Sequence, residues 1–498
     1  MIPFFTTGMK EKIYLTTTLP YVNADPHMGH ALEFVQADII ARYLRLLGKE
    51  VFFNTGTDEH GQKIYQKALE KGQTPEEYAN YFTGRVKELL EKLNIDIKNK
   101  DYNFVRTTDE HHKQSAQKFW QKCAEAGDIY KKEYKIKYCV GCELEKTDSE
   151  LVDGKCPLHS NMEIELINEE NYFFRFSKYQ QALLNLYENP GFVLPSSRLN
   201  EIKSFVSGGL QDFSISRLKS KMPWGIDVPG EETSLPAGRQ VMYVWFDALV
   251  NYVSAIGWPK DEKKFNEWWP AIQFAGKDNL RQQSAMWQAM LLSAGIEPSK
   301  QIVIHGFITA GGQKMSKSLG NGVSPYDIIE EYEAEALRYY FAREITPFED
   351  GDFTIEKFKT SYNANLANGL GNLVSRVLKM ASLYEVSAKK ENLIESEELI
   401  KTDFYQEYRG YFDIYEISRA ADFVWTQIQE ADLFIQNTQP FKLIKTDPET
   451  AKQHIEYLLG AVWRISVALI PFMPATAEKI QAGVKTGILE VNLFIRKD

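Results

Sequence analysis

Nowhere in these 498 residues is there an uninterrupted apolar run of the roughly 18 residues a membrane span needs, and Met1 to Lys12 lacks an apolar core of signal-peptide length. No membrane or export role is expected. Cysteine is scarce: Cys123, Cys139, Cys142 and Cys156 are too few for a secreted disulfide framework, and three of them lie close together. A reducing compartment, the cytoplasm, is the expectation. Positive charge is not in excess either, because the formal net charge is −10, which repels a polyanion at long range. Any contact with nucleic acid must therefore rest on a local basic surface. What is present, 44% hydrophobic and 13% aromatic residues, is ample for large buried clusters. Single cores stop growing at roughly 250 to 300 residues, so two or three domains are expected.

The first pattern is a β-rich run from Lys12 to Thr18, then a turn with Pro20, Asn23, Asp25 and Pro26. Leu32, Val35, Ile39, Tyr43 and Leu46 follow at helical spacing, with Gly48 placed as a C-terminal cap and Val51 to Phe53 as the next strand. A βαβ unit implies a parallel sheet with its ligand at the carboxyl ends of the strands. From Cys139 the alternation gives way to a charged, loop-rich segment, then resumes with a strand at Ile272 to Ala275, a helix from Asn279 to Ala294 ended by Gly295, and a strand at Ile302 to His305. From Tyr326 onward only helices are predicted, among them Lys359 to Tyr384, Asp403 to Gln436 and Glu449 to Ile470. The expected fold is α/β: a Rossmann-like parallel-sheet domain, residues 10–120 and 231–325, split by an insertion at 121–230. A linking helical segment, 326–360, and an all-α domain, 361–498, complete it.

Two motifs carry nucleotide chemistry. His27-Met28-Gly29-His30 sits where the first strand hands over to the helix, with Asp25 able to cap it and Pro26 suited to its first position. A helix N-terminus favours anions, two imidazoles three residues apart could add donors to phosphates, and Gly29 would let a flat base approach the backbone. Lys314-Met315-Ser316-Lys317-Ser318 lies among Gly311, Gly312, Gly320 and Gly322, so two ammonium groups ride on a loop able to move. Such cations suit the charge that develops on pyrophosphate when the α-phosphorus of ATP is attacked. Either motif alone is weak, since most such strings are ordinary surface.

Cys139-x-x-Cys142 and Cys156-x-x-His159 form two short chelating pairs, a complete tetrahedral set for one structural Zn2+. Cys123 is expected to be a plain thiol.

In order and context the two nucleotide motifs resemble the signature sequences of class I aminoacyl-tRNA synthetases. Thr18-Leu19-Pro20-Tyr21, Thr57-Asp58-Glu59-His60-Gly61 and Tyr243-Val244-Trp245-Phe246-Asp247-Ala248 look like the methionyl-tRNA synthetase family in particular. The resemblance implies methionine activation with ATP and Mg2+, followed by transfer to tRNA(Met). It places His27, Gly29, His30, Lys314, Lys317 and Arg217 in catalysis, with His27, His30 and Lys317 on ATP. Leu19, Tyr21, Trp245, Ala248 and Tyr252 would line a thioether pocket, with Asp58 on the substrate ammonium. Asn372 and Arg376, four apart and so on one helix face, would read the anticodon, and Phe441 would stack where the family usually has tryptophan. Lys379, Lys389, Lys390, Lys442 and Lys445 could supply positive surface. After Gly276-Lys277-Asp278 the family usually shows Phe-His near the pocket, whereas this chain has Gln282-Gln283.

The insertion is too short for the editing domain that synthetases for leucine, isoleucine and valine need, and no cysteine near the first motif supports a cysteinyl enzyme. A small-molecule nucleotidyltransferase would have no use for the helical domain, and the intact histidines and lysines argue against a non-catalytic RNA-binding relative. With no dimerising module after the helical domain, a monomer is expected.

Overall fold

The computed structural model describes residues 10–142, 144–146, 148–230, 238–314, 322–488 and 492–497. Strand β1 (Lys12–Thr16), helix α1 (Met28–Leu46) and strand β2 (Glu50–Thr57) form the expected βαβ unit. Six parallel strands make the central sheet, in the order Tyr102–Arg106, β2, β1, Ile272–Gly276, Gln301–His305, Val193–Leu194. The first-half strands thus run outward on one side of β1 and the later ones on the other. Strand order reverses between β1 and Ile272–Gly276, where a crevice must open at the carboxyl ends.

Strands Ile129–Cys139 and Glu165–Phe174 form a long antiparallel hairpin that carries the cysteine-bearing segment away from this sheet. Val193–Leu194, within the stretch 121–230, instead pairs in parallel with Ile302 and Val303, so the chain returns to the central sheet before residue 230.

Beyond residue 326 helices dominate, but Gly351–Asp352 adds a short strand beside Ile308–Ala310. The expected helix from Asp403 to Gln436 is broken at Tyr415, whose φ of 59° stops one helix at Asp413 before Ile417–Thr438 begins. One apolar core runs from Leu32 and Val35 of α1 through Leu337 and Phe341 to Leu458 and Phe472, so the sheet and the helical region are not separately packed. At their junction Arg338, wholly buried, meets Asp38 of α1 at 2.8 Å and donates to the carbonyls of Pro471 and Phe472. A second core, with Phe119, Trp120, Phe246 and Trp287, lies beneath the insertion.

Candidate active site

A cavity of about 620 Å³ opens at the reversal point. Four strands contribute residues at or just past their carboxyl ends: Leu19 and Tyr21 after β1, Asp58 after β2, Gly276 and Asp278, then His305 and Gly306. Asp58 N–H donates to the Pro20 carbonyl and Val22 N–H to that of Asp58, extending the β1–β2 pairing to the rim. Trp245 and Ala248 on helix Val244–Leu249, with Tyr252 on the next turn, close the opposite wall. His27, Gly29 and His30 line it as well.

The cap of α1 is His27 itself rather than Asp25. Its Nδ1 accepts from Gly29 N–H at 3.1 Å, while the Nδ1 of His30 accepts from His27 N–H at 3.3 Å. The rings stack with centroids 3.8 Å apart. Since each Nδ1 is an acceptor, each neutral ring carries its proton on Nε2. Burial first, and then the neighbouring His27, hold the His30 pKa well below its ordinary value, so it is a neutral donor. Gly29 has a local duty: a Cβ there would sit 3.0 Å from Cε1 of His27.

Glu33, one turn past His30, and His305 were missed by sequence reasoning. Glu33 accepts from Thr18 N–H and Oγ–H, both at 2.6 Å, and its other oxygen takes His305 Nε2 at 2.9 Å. His305 Nδ1 faces the Gly306 carbonyl at 2.7 Å, so both ring nitrogens meet acceptors. Burial disfavours the charged ring, but Glu33 outweighs it and raises the His305 pKa. A carboxylate on the buried stripe of α1 was the available signal. Arg85 is a second omission: it lines the cavity, contacts Asp25 at 3.1 Å and stacks on Tyr326.

Gln283 lines the cavity and Gln282 does not. The helix widens to a π-turn over Gln282–Met286, and Gln273 Nε2 donates to Gln283 Oε1 at 3.2 Å. Burial pushes the Tyr252 phenol up, the Glu33 carboxylate adds to the rise, and the nearby carboxamides of Gln283, Asn251 and Gln273 oppose it.

Arg217 is not among the lining residues. It lies buried behind the wall, against the rings of Tyr138 and Tyr243 at 5.0 and 4.7 Å, and donates to Ser214 Oγ and the Ser216 carbonyl. Lys314 ends a hairpin that turns at Gly311 and Gly312, both with positive φ, and the turn is tied to Asp352, whose Oδ1 accepts from Gly312 N–H. Lys317 lies outside the described residues, and the chain re-enters the cavity wall at Gly322 to Tyr326.

Cys139, Cys142, Cys156 and His159 bring four ligand atoms within 4.8 Å of one another. His159 Nδ1 is 3.2 Å from Cys142 Sγ, 3.8 Å from Cys139 Sγ and 4.0 Å from Cys156 Sγ, the spacing of a tetrahedron's edges around a zinc-sized ion. A Cβ on Gly141 would meet the His159 ring at 2.5 Å, so the knuckle closes only around glycine. Gly141 and Cys142 also line the cavity.

Far along the helical region, Asn372 lines a groove of about 360 Å³ with Asn368, Ser375 and Asn492. Arg376, one turn on, pairs with Asp432 at 3.1 Å, and Phe441 is 40% exposed. No helix among the described residues is long and apolar enough to cross a membrane.

A switch-point crevice with paired histidines at a helix start is the site expected of a class I aminoacyl-tRNA synthetase. A family model described as "tRNA synthetases class I (M)" matches residues 13–378, and one described as "Anticodon binding domain of methionyl tRNA ligase" matches 385–491. The chain belongs, within that class, to the methionyl-tRNA synthetase family. It is 40% identical to the methionine–tRNA ligase of Thermosynechococcus vestitus over 95% of this chain and 90% of that one. With the Thermotoga maritima ligase the identity is 39%, over 94% and 74%. The Mycobacterium tuberculosis methionyl-tRNA synthetase in complex with methionyl-adenylate superposes with a TM-score of 0.85 at 35% identity, covering 97% of each chain.

Proposed function

We propose that this chain charges tRNA(Met) with methionine. The observation that carries it is the single cavity into which the sheet gathers a buried carboxylate, Asp58, an aromatic slot, Trp245 and Tyr252, and the His27–His30 donors. Asp58 pairs with the substrate ammonium, and Leu19, Tyr21, Trp245, Ala248 and Tyr252 hold the polarizable thioether chain. The methionine carboxylate oxygen bonds to the α-phosphorus of ATP, the bond to the β-phosphate oxygen breaks, and methionyl adenylate and pyrophosphate result. A ribose hydroxyl at the end of tRNA then attacks the acyl carbon and AMP leaves.

His27 and His30 donate Nε2–H to ATP phosphates, His30 as a neutral ring. Lys314 and Lys317 meet the charge developing on pyrophosphate, with Mg2+ accompanying ATP. Arg217 acts from behind the wall, steadying the joint between the insertion and helix Val244–Leu249. Cys139, Cys142, Cys156 and His159 hold one Zn2+, which with four protein ligands has no open position and fixes the knuckle. Asn372, Arg376 and Phe441 read the anticodon, where single-stranded bases expose their edges. The enzyme works as a cytoplasmic monomer.

Amino-acid-dependent ATP–pyrophosphate exchange, scanned over twenty amino acids, is the test. Exchange with methionine alone supports the assignment. Exchange with another amino acid, or none in folded protein, refutes it.

A further inference from the structure

Behind the pocket wall lies a buried polar network that the reaction does not touch. Asp247, wholly buried, sits on helix Val244–Leu249 between Trp245 and Ala248. One of its oxygens takes His60 Nδ1 at 3.0 Å, and His60 lies two residues past Asp58 on the loop after β2. The other faces His112 Nε2 across 3.6 Å, with no shorter hydrogen bond to either atom among the described residues. His112 Nδ1 in turn meets Ser254 Oγ at 3.0 Å, two residues past Tyr252. Burying a carboxylate costs several kcal/mol unless it is paired, so this site needs both rings. Burial alone would raise the Asp247 pKa, yet the facing rings hold it low.

We propose that Asp247 is the positioning residue of the methionine pocket, bracing through His60 and His112 the three segments that carry Asp58, Trp245 and Tyr252. The inference rests on the ligase reading above and adds a selectivity to it. Asp247 holds the amino-acid end of the cavity and nothing at its phosphate end, so its loss must fall on one substrate. The Asp247–His112 gap of 3.6 Å is slack that seating the amino acid takes up, as apo hydrogen bonds often tighten on binding.

Pyrophosphate exchange with methionine and ATP varied separately tests this. Asp247→Asn should raise the KM for methionine about tenfold, the scale of a small misplacement at a reacting centre. The KM for ATP should stay within about twofold of wild type, since the brace does not reach the phosphates. His60→Leu should do the same, and His60→Asn, whose amide N–H replaces Nδ1, should recover most of the loss. If Asp247→Asn does not fold, the two His60 variants decide. Equal rises in both KM values, or His60→Asn no better than His60→Leu, would overturn the proposal and leave the ligase reading standing. No methionine-dependent exchange in the wild type would overturn both.

Discussion

Replacing Glu33 by glutamine changes one atom at the heart of the site, and the consequences can be worked out donor by donor. The glutamine oxygen can still accept both Thr18 donors, now at 2.6 Å, so the strand-to-loop joint is kept. Its amino group then confronts His305 Nε2 where a carboxylate oxygen stood 2.9 Å away. Two donors cannot face each other at that distance, so the ring must shed its Nε2 proton and accept instead. One charge-assisted bond is lost, about 2 kcal/mol for a hydrogen bond to a charged group. The pH dependence carries the sharper signature. In the wild type the His305 pKa is raised above its ordinary 6.5, so its contribution is fully present below that value and is lost as pH rises through the raised one. With Glu33 gone, burial lowers the ring's pKa against only the Gly306 carbonyl and Asp278, and most of this alkaline loss is removed. Urea unfolding followed by tryptophan fluorescence should show a gap of about 2 kcal/mol at pH 6 that narrows markedly by pH 9. A gap constant with pH, or under about 0.5 kcal/mol at pH 6, would refute the charged pairing.

Other perturbations address the remaining parts of the site. Gly29→Ala puts a methyl 3.0 Å from the His27 ring, so kcat/KM for exchange should fall by about two decades with the circular dichroism unchanged. Cys156→Ser should reduce bound zinc, measured by atomic emission, from about one per chain to near none. Because Cys142 and Gly141 line the cavity, it should raise the KM for methionine as well. Arg376→Ala leaves Asp432 without its partner and should weaken aminoacylation kcat/KM by about 1 to 3 kcal/mol more than it affects exchange without tRNA. Equal effects on the two assays would remove Arg376 from anticodon reading.

Features written in local spacing were legible from the chain alone. The apolar stripe of α1, the strands Glu50–Thr57 and Gln301–His305, and the two chelating pairs each depend on residues a few places apart. What escaped depends on geometry that spacing does not encode. An aspartate before a proline looked like the helix cap, but a histidine ring can fold back over its own turn when the residue two places on is glycine, and that option leaves no compositional trace. Glu33 and His305 are 272 residues apart in sequence. Likewise Arg217 could be matched to a motif, but only the packing of Tyr138 and Tyr243 around it places it behind the wall. Both π-helical stretches among the described residues, Gln282–Met286 and Tyr362–Gly371, fall beside candidate sites, where a π-turn redirects side chains by a step that 3.6-residue periodicity cannot anticipate.

The first of those turns bears on the Gln282-Gln283 departure. Gln283 does not stand alone: Gln273 donates to its Oε1, and Gln288 Nε2 donates to its carbonyl at 2.8 Å. Ser299 Oγ–H closes the set on Gln273 Oε1, while Ser299 N–H donates to Gln288 Oε1 at 3.0 Å. The carboxamides of Gln273 and Gln288 each both donate and accept within this set, so the accepting end of Gln283 is fixed. A buried polar group is tolerable only when its partners are supplied, and here the partners are themselves glutamines and a serine drawn from a strand, a helix and the loop before Gln301. Gln283 therefore stands at the cavity as one member of a network. Loss of any one member would leave a buried carboxamide or hydroxyl unsatisfied, so the carboxamide at the cavity is held by the whole set and not by its own rotamer alone.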